Sequence, residues 1–170
     1  MPSDRLRRLV GAVLGLALLA EALPIAAAAI ARLPGDAVLQ DLRRGAPVPR
    51  AALDRVAGSR ERALAWRERP ADRAVLGLVH LLRADRAAGD PTAHLQAAAS
   101  QLRRGLRGNP ADPHAWVRLA LAQARLGDAP AAAGALRMSE RTGANVPELQ
   151  QTRSALRHWL AASGAPGRQP

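Results

Sequence analysis

The chain has no cysteine, no tyrosine and no phenylalanine, and its basic residues are all arginine, without one lysine. The missing cysteines exclude a disulfide framework and any thiolate metal site, and leave the redox compartment open. Three tryptophans, Trp66, Trp116 and Trp159, are the entire aromatic content apart from histidine. Proteins that bind single-stranded nucleic acid need several exposed aromatics as stacking platforms. That class is therefore disfavoured, despite a formal charge of +11 over 170 residues. The arginines are scattered rather than blocked, which reads as a solvated basic surface of the kind a GC-rich coding sequence writes. An anionic partner such as lipid headgroups, an acidic polysaccharide or an acidic protein stays open.

Catalytic and metal-binding patterns are also missing. His80, His94, His114 and His158 lack metal-ligand spacing, and there is no phosphate loop, dinucleotide fingerprint or nucleophile elbow. Ser59, Ser100, Ser139 and Ser154 fall inside expected helices, where a nucleophile is poorly presented. The expectation is a protein that is not an enzyme, with no catalytic residues, no cofactor and no metal.

What is present begins with an apolar run, Leu9 to Ala31, behind a tail (1–8) that carries Arg5, Arg7 and Arg8. Its 23 residues match the roughly 20 needed to cross a hydrocarbon core of about 30 Å. Ten Leu, Ile and Val residues favour insertion by at most ~0.6 kcal/mol each, against about 3 kcal/mol for the central carboxylate, Glu21. The net gain is small. A cleaved leader with its site at Ala20-Glu21-Ala22 or Ala29-Ile30-Ala31 competes with an uncleaved signal anchor over 9–31. The anchor is favoured because the first site leaves an apolar mature end and the second follows a long segment interrupted by Pro24. Arg32, Arg43 and Arg44 nearly balance the leading arginines. The tight leading cluster still points to a single pass of the bacterial inner membrane with the globular part in the periplasm. Gly11 and Gly15 form a GxxxG through which two spans could pair, and Glu21 is the candidate contact to a partner within the membrane.

Residues 32–49 read as a short juxtamembrane helix (37–44) and linker, separated from the span by "RLPGD" and closed by Gly45 and "APVP". From Arg50 every segment carries helical periodicity. Leu53, Val56, Ala57, Leu64 and Trp66 mark one helix, and Val75, Leu78, Val79, Leu81 and Leu82 a second. Leu95, Ala98, Ala99, Leu102 and Leu106 mark a third, opened by Asp90 and Pro91. Asp112-Pro113 and Asp128 open a fourth and a fifth, and a sixth runs from Val146 to Leu160 before a flexible tail, 164–170. Short linkers make consecutive helices antiparallel hairpins.

Within this string Trp116, Leu119-Ala120, Gln123, Gly127, Ala132, Leu136 and Ser139 follow one another with the spacing of a helix pair. The stretch Asn109 to Ser139 resembles a tetratricopeptide repeat. It departs from that pattern at Gln123, at Leu136 and in a late proline, Pro147. Leu78, Leu81-Leu82 and Gly89-Asp90 form an earlier copy, so the resemblance covers Asp72 to Gly143. It implies an all-α fold, an N-terminal transmembrane helix followed by a short helical-hairpin solenoid over 50–163. The helices 50–66 and 146–160 would then be the end caps.

The resemblance further implies a groove for a protein partner lined by Val79, His80, Arg83, His114, Val117, Arg118, Leu121 and Arg125. Its arginines would favour carboxylate-bearing ligands. The functional expectation is a membrane-anchored adaptor in an envelope assembly such as export, surface polysaccharide synthesis or protein maturation. Its partners would be membrane-associated proteins rather than nucleic acid. The alternative is a secreted or cytoplasmic basic protein that binds an anionic polymer.

Overall fold

A computed structural model describes residues 2–164; residues 165–170 of the expected tail lie outside it. All regular structure among the described residues is helical. The order is α1 (Pro2–Arg43), α2 (Arg50–Trp66), α3 (Pro70–Asp85), α4 (Thr92–Gly108), α5 (Pro113–Arg125), α6 (Ala129–Thr142), a short 3-10 turn (Pro147–Leu149) and α7 (Gln150–Ala162).

The first difference from the sequence reading is at the junction after the apolar run. No break separates the apolar run from residues 37–43, because α1 continues through both Pro24 and Pro34. Each proline withholds one N–H from the helix ladder, and together with Gly35 this looks like a stop signal. Tertiary packing overrides it. Gly35 is pressed onto α2, where a Cβ would stand 2.2 Å from Ser59 Oγ and 3.3 Å from Val56 Cα. The glycine marks a close helix crossing, and α1 ends only beyond it, at Arg43, with Gly45 at a φ of +75° in the turn that follows.

Helix pairing alternates. α1 packs most extensively on α2, α3 on α4 and α5 on α6, and the contacts between successive pairs are lighter. The pair that precedes α3 is therefore made with the C-terminal half of α1, and α2 is an inner member of the stack rather than its end cap. α3 is a shared wall. Leu76 and Val79 face a core formed with Leu53, Val56 and Ala57 of α2. Ala74, Leu81 and Ala84 face the larger core of α4 to α7. Close crossings are made by small residues: Ala98, Ala120 and Ala132 are fully buried, and a Cβ on Gly77 would stand 2.5 Å from Leu102 Cγ.

The expected helix starts are largely observed. Asp112 accepts the Ala115 N–H at 3.0 Å and Asp128 that of Ala131 at 3.0 Å, each satisfying one of the donors a helix N-terminus leaves open. Asp90 instead precedes the cap position, which is Pro91, and accepts from the Thr92 N–H and hydroxyl. Trp66, which helps mark the periodicity of α2, is 55% exposed.

Candidate interaction surfaces

The eight groove residues lie on α3 and α5, but not on one open face. Val79 and Val117 are buried core residues. They hold helices together and offer no surface, because each sits on the side of its helix that meets a neighbour. Leu121 is half-buried against the α4 to α7 core and His114 is exposed. Arg83 binds Asp54 of α2 at 2.5 Å, and Arg125 binds Asp85 of α3. Both guanidiniums are thus engaged between helices. Arg118 is half-buried on α5.

His80 is half-buried, with its ring 6.1 Å from that of His94 and its Nδ1 buried without a hydrogen bond. Burial pushes its pKa below the ordinary histidine value, and Arg83 and His94 push in the same direction. A small cavity beside this pair is walled by Arg50, Leu53, Arg83, Arg86, Ala87 and His94. Among the described residues no three His, Asp or Glu side chains gather as a metal site requires.

Residues 9–23 of α1 carry exposed large apolar side chains, from Leu9 at 65% to Leu23 at 66%. Gly11 and Gly15 are open, with nothing within 4 Å of a Cβ built at either. Glu21 is exposed and makes no ion pair among the described residues. Farther along, Ala28 is 0% exposed. The domain therefore meets the helix inside the segment 9–31 assigned to the span. One helix of the described chain is long and apolar enough to cross a membrane.

Sequence reasoning missed the group of charges that joins this helix to the domain. Arg32 of α1 donates through Nε to both oxygens of Asp72, at 2.9 and 3.2 Å. Arg60 of α2 reaches the same carboxylate at 3.4 Å and also binds Asp36 of α1. Arg60 and Asp72 are 4% and 3% exposed. Two carboxylates and two guanidiniums thus tie α1, α2 and α3 together, with Arg60 and Asp72 nearly closed to water and Asp36 at the open edge. A cue existed in the spacing, since Arg60 occupies the stripe of Leu53, Val56 and Ala63. A polar residue at a core position signals a buried partner, but the sequence does not say which one.

Arg153 repeats the pattern on α7, between Leu149 and Leu156. It is 1% exposed and donates to the Ser139 carbonyl at 2.6 Å and to its hydroxyl at 2.9 Å. Ser139 in turn donates to the Pro113 carbonyl at 2.8 Å. At the other end of the domain Arg73 forms a two-pronged pair with Glu68, at 2.8 and 2.7 Å, which holds the Glu68 carboxyl below its usual range. Several arginines are thus connectors between elements, while most of the others are exposed, as a solvated basic surface requires.

Compared with protein-family models and with curated proteins, the chain matches none.

Proposed function

We propose that this protein is a membrane-anchored adaptor of the bacterial envelope. In this reading a short tetratricopeptide-like stack of helical hairpins is held against the inner membrane by one uncleaved N-terminal span, on the periplasmic side. The observation that carries it is the continuity of α1. The helix leaves an apolar surface uncovered over residues 9–23 and then enters the domain, fixed by Arg32, Asp36, Arg60 and Asp72. Both sequences suited to leader cleavage lie inside that helix, and removal at the second would take away the buried Ala28. A rigidly mounted stack of hairpins serves to present helix faces to other proteins. The exposed ring of His114 and the half-buried Arg118 and Leu121 on α5 are the positions best placed for such contact.

The test is expression of the full chain in bacterial cells, with alkaline extraction of membranes and mass measurement of the N-terminus. A photocrosslinking amino acid is placed in turn at His114 and Leu121. Support is an intact N-terminus in the extraction-resistant fraction and a cross-link to a membrane-associated protein. A soluble product beginning at Leu23 or Arg32 defeats the anchor.

The second reading, a binder of an anionic polymer, draws on the three arginines and the histidine around one small cavity, Arg50, Arg83, Arg86 and His94. Salt separates the two. A polyanion complex weakens steeply as salt rises to physiological strength through counterion release, whereas a contact built on apolar side chains does not.

A further inference from the structure

Where α2 ends, it lies against α1 at the end of the apolar run. Ala27, Ile30 and Ala31 of α1 and Arg62, Ala65 and Trp66 of α2 line an open notch of about 480 Å³. Ile30 is 66% and Trp66 55% exposed, the latter the one large apolar side chain outside α1 left so open among the described residues. The position fits a membrane boundary. Residues 9 to 27 rise about 28 Å at 1.5 Å per residue, close to the thickness of a hydrocarbon core. If this stretch spans a bilayer, Trp66 would stand at the boundary depth where tryptophan collects in membrane proteins.

The charges around the notch agree with that placement. Arg62 lines it, and Arg67 and Arg69 follow in the turn to α3; all three are exposed, and none forms an ion pair among the described residues. The one acidic residue of the turn, Glu68, is already engaged by Arg73. Arg104 of α4 is near enough to Glu68 to help lower its pKa, so the start of α3 and the end of α4 share this basic edge. The notch thus joins Ile30 of the apolar run to a basic edge that begins at Arg62.

We infer that the α1/α2 notch and the Arg67–Arg69 turn seat the domain on the lipid bilayer, with Trp66 at the hydrocarbon boundary and Arg62, Arg67 and Arg69 on phosphates of anionic lipid. This rests on the reading of α1 as a membrane span. It adds a second attachment at the end of the domain that faces the apolar run, beside the one α1 provides. Each arginine near an anionic surface favours that surface about fivefold.

The absence of native cysteine allows single spin labels at Leu16→Cys, Ala65→Cys and Gly89→Cys in the full chain, reconstituted in lipid nanodiscs. Position 89 has open space around its Cβ and lies in the turn at the far end of α3. The expected result is that labels at 16 and 65 lose access to a water-soluble nickel chelate and gain access to oxygen, while the label at 89 stays open to nickel. Brominated lipids should quench the native tryptophan emission, and Trp66→Phe should remove most of the quenched part. Adding phosphatidylglycerol to phosphatidylcholine discs should deepen the label at 65, and R62Q/R67Q/R69Q should abolish that lipid dependence while leaving helicity unchanged. If position 16 is in lipid while 65 is as open to nickel as 89, the seat is overturned and the anchor stands. A nickel-accessible label at 16 overturns the anchor itself. Immersion at 65 that ignores lipid charge overturns the role given to the arginines.

Discussion

Asp72 of α3 is the common acceptor for arginines of two other helices, Arg32 of α1 and Arg60 of α2. Asp72→Ala leaves Arg32 without its ion-pair partner and Arg60 with Asp36 alone, and since removal of one member of a buried pair costs about 3–5 kcal/mol, the loss should approach that range. Thermal or chemical unfolding of the detergent-solubilised chain, followed by circular dichroism, should show that loss. An Arg60→Met/Asp72→Leu double variant should recover part of it, since matched apolar replacement removes the desolvation cost along with the attraction. Trp116 is half-buried, packed on the α4 to α7 core, and its Nε1 donates to the Pro110 carbonyl at 2.8 Å. Trp116→Ala should cost about 2–3 kcal/mol, below the range for a fully buried aromatic.

His80 gives a pH dependence at the same scale. Its folded pKa lies below the unfolded value, so the unfolded chain takes up a proton first as pH falls. Stability is fully present above about pH 6.5, the ordinary histidine value, and declines as pH drops through the folded value. Melting temperature should therefore fall from pH 7.5 towards pH 5, and His80→Gln should flatten that part of the profile. A histidine stabilised in its charged form would give the opposite slope.

At the scale of the elements, crossings are decided by residues with little or no side chain. Gly77→Ala puts a methyl group 2.5 Å from Leu102 Cγ, and Leu102 is fully buried with nowhere to move. Overpacking of this kind costs about 1–3 kcal/mol. Gly134→Ala on α6 meets only the tip of Arg137, at 3.9 Å. It should be neutral or stabilising by up to about 1 kcal/mol, from helix propensity alone. Opposite signs for two Gly→Ala changes inside helices, read from unfolding midpoints, would establish these crossings; equal signs would not fit them. The same physics explains the misread junction after the span. Pro34-Gly35 carries the composition of a breaker, yet the glycine is there so that α1 can lie on Ser59 and Val56. The need for a close contact with a segment some 20 residues downstream leaves no mark in local composition.

For the whole molecule, the consequence of one continuous α1 is that the apolar N-terminal segment and the helical domain share one helix. The clamp at Arg32, Asp36, Arg60 and Asp72 grips the helix just past the apolar run. A tilt of the N-terminal segment is then passed to α2 and α3 rather than lost in a linker. The groove residues became a mixture of core and inter-helix pairs for a related reason. A face pattern read from one helix does not reveal which neighbours cover it, and α2 covers part of α3.

The sequence by itself determined the helical class, the positions of most helix ends and the presence of an apolar N-terminal run. These follow from local periodicity, from capping aspartates and from glycine and proline, and such signals act within a few residues of chain. Only the tertiary structure decided that α1 belongs to the domain, that Arg60, Asp72 and Arg153 are interior, and that Trp66 is outside. Those outcomes depend on which helix faces which, and on whether a charge finds its counterpart 12 or 40 residues away. A local pattern can announce a buried polar residue, but its partner is chosen by the packing of the folded chain.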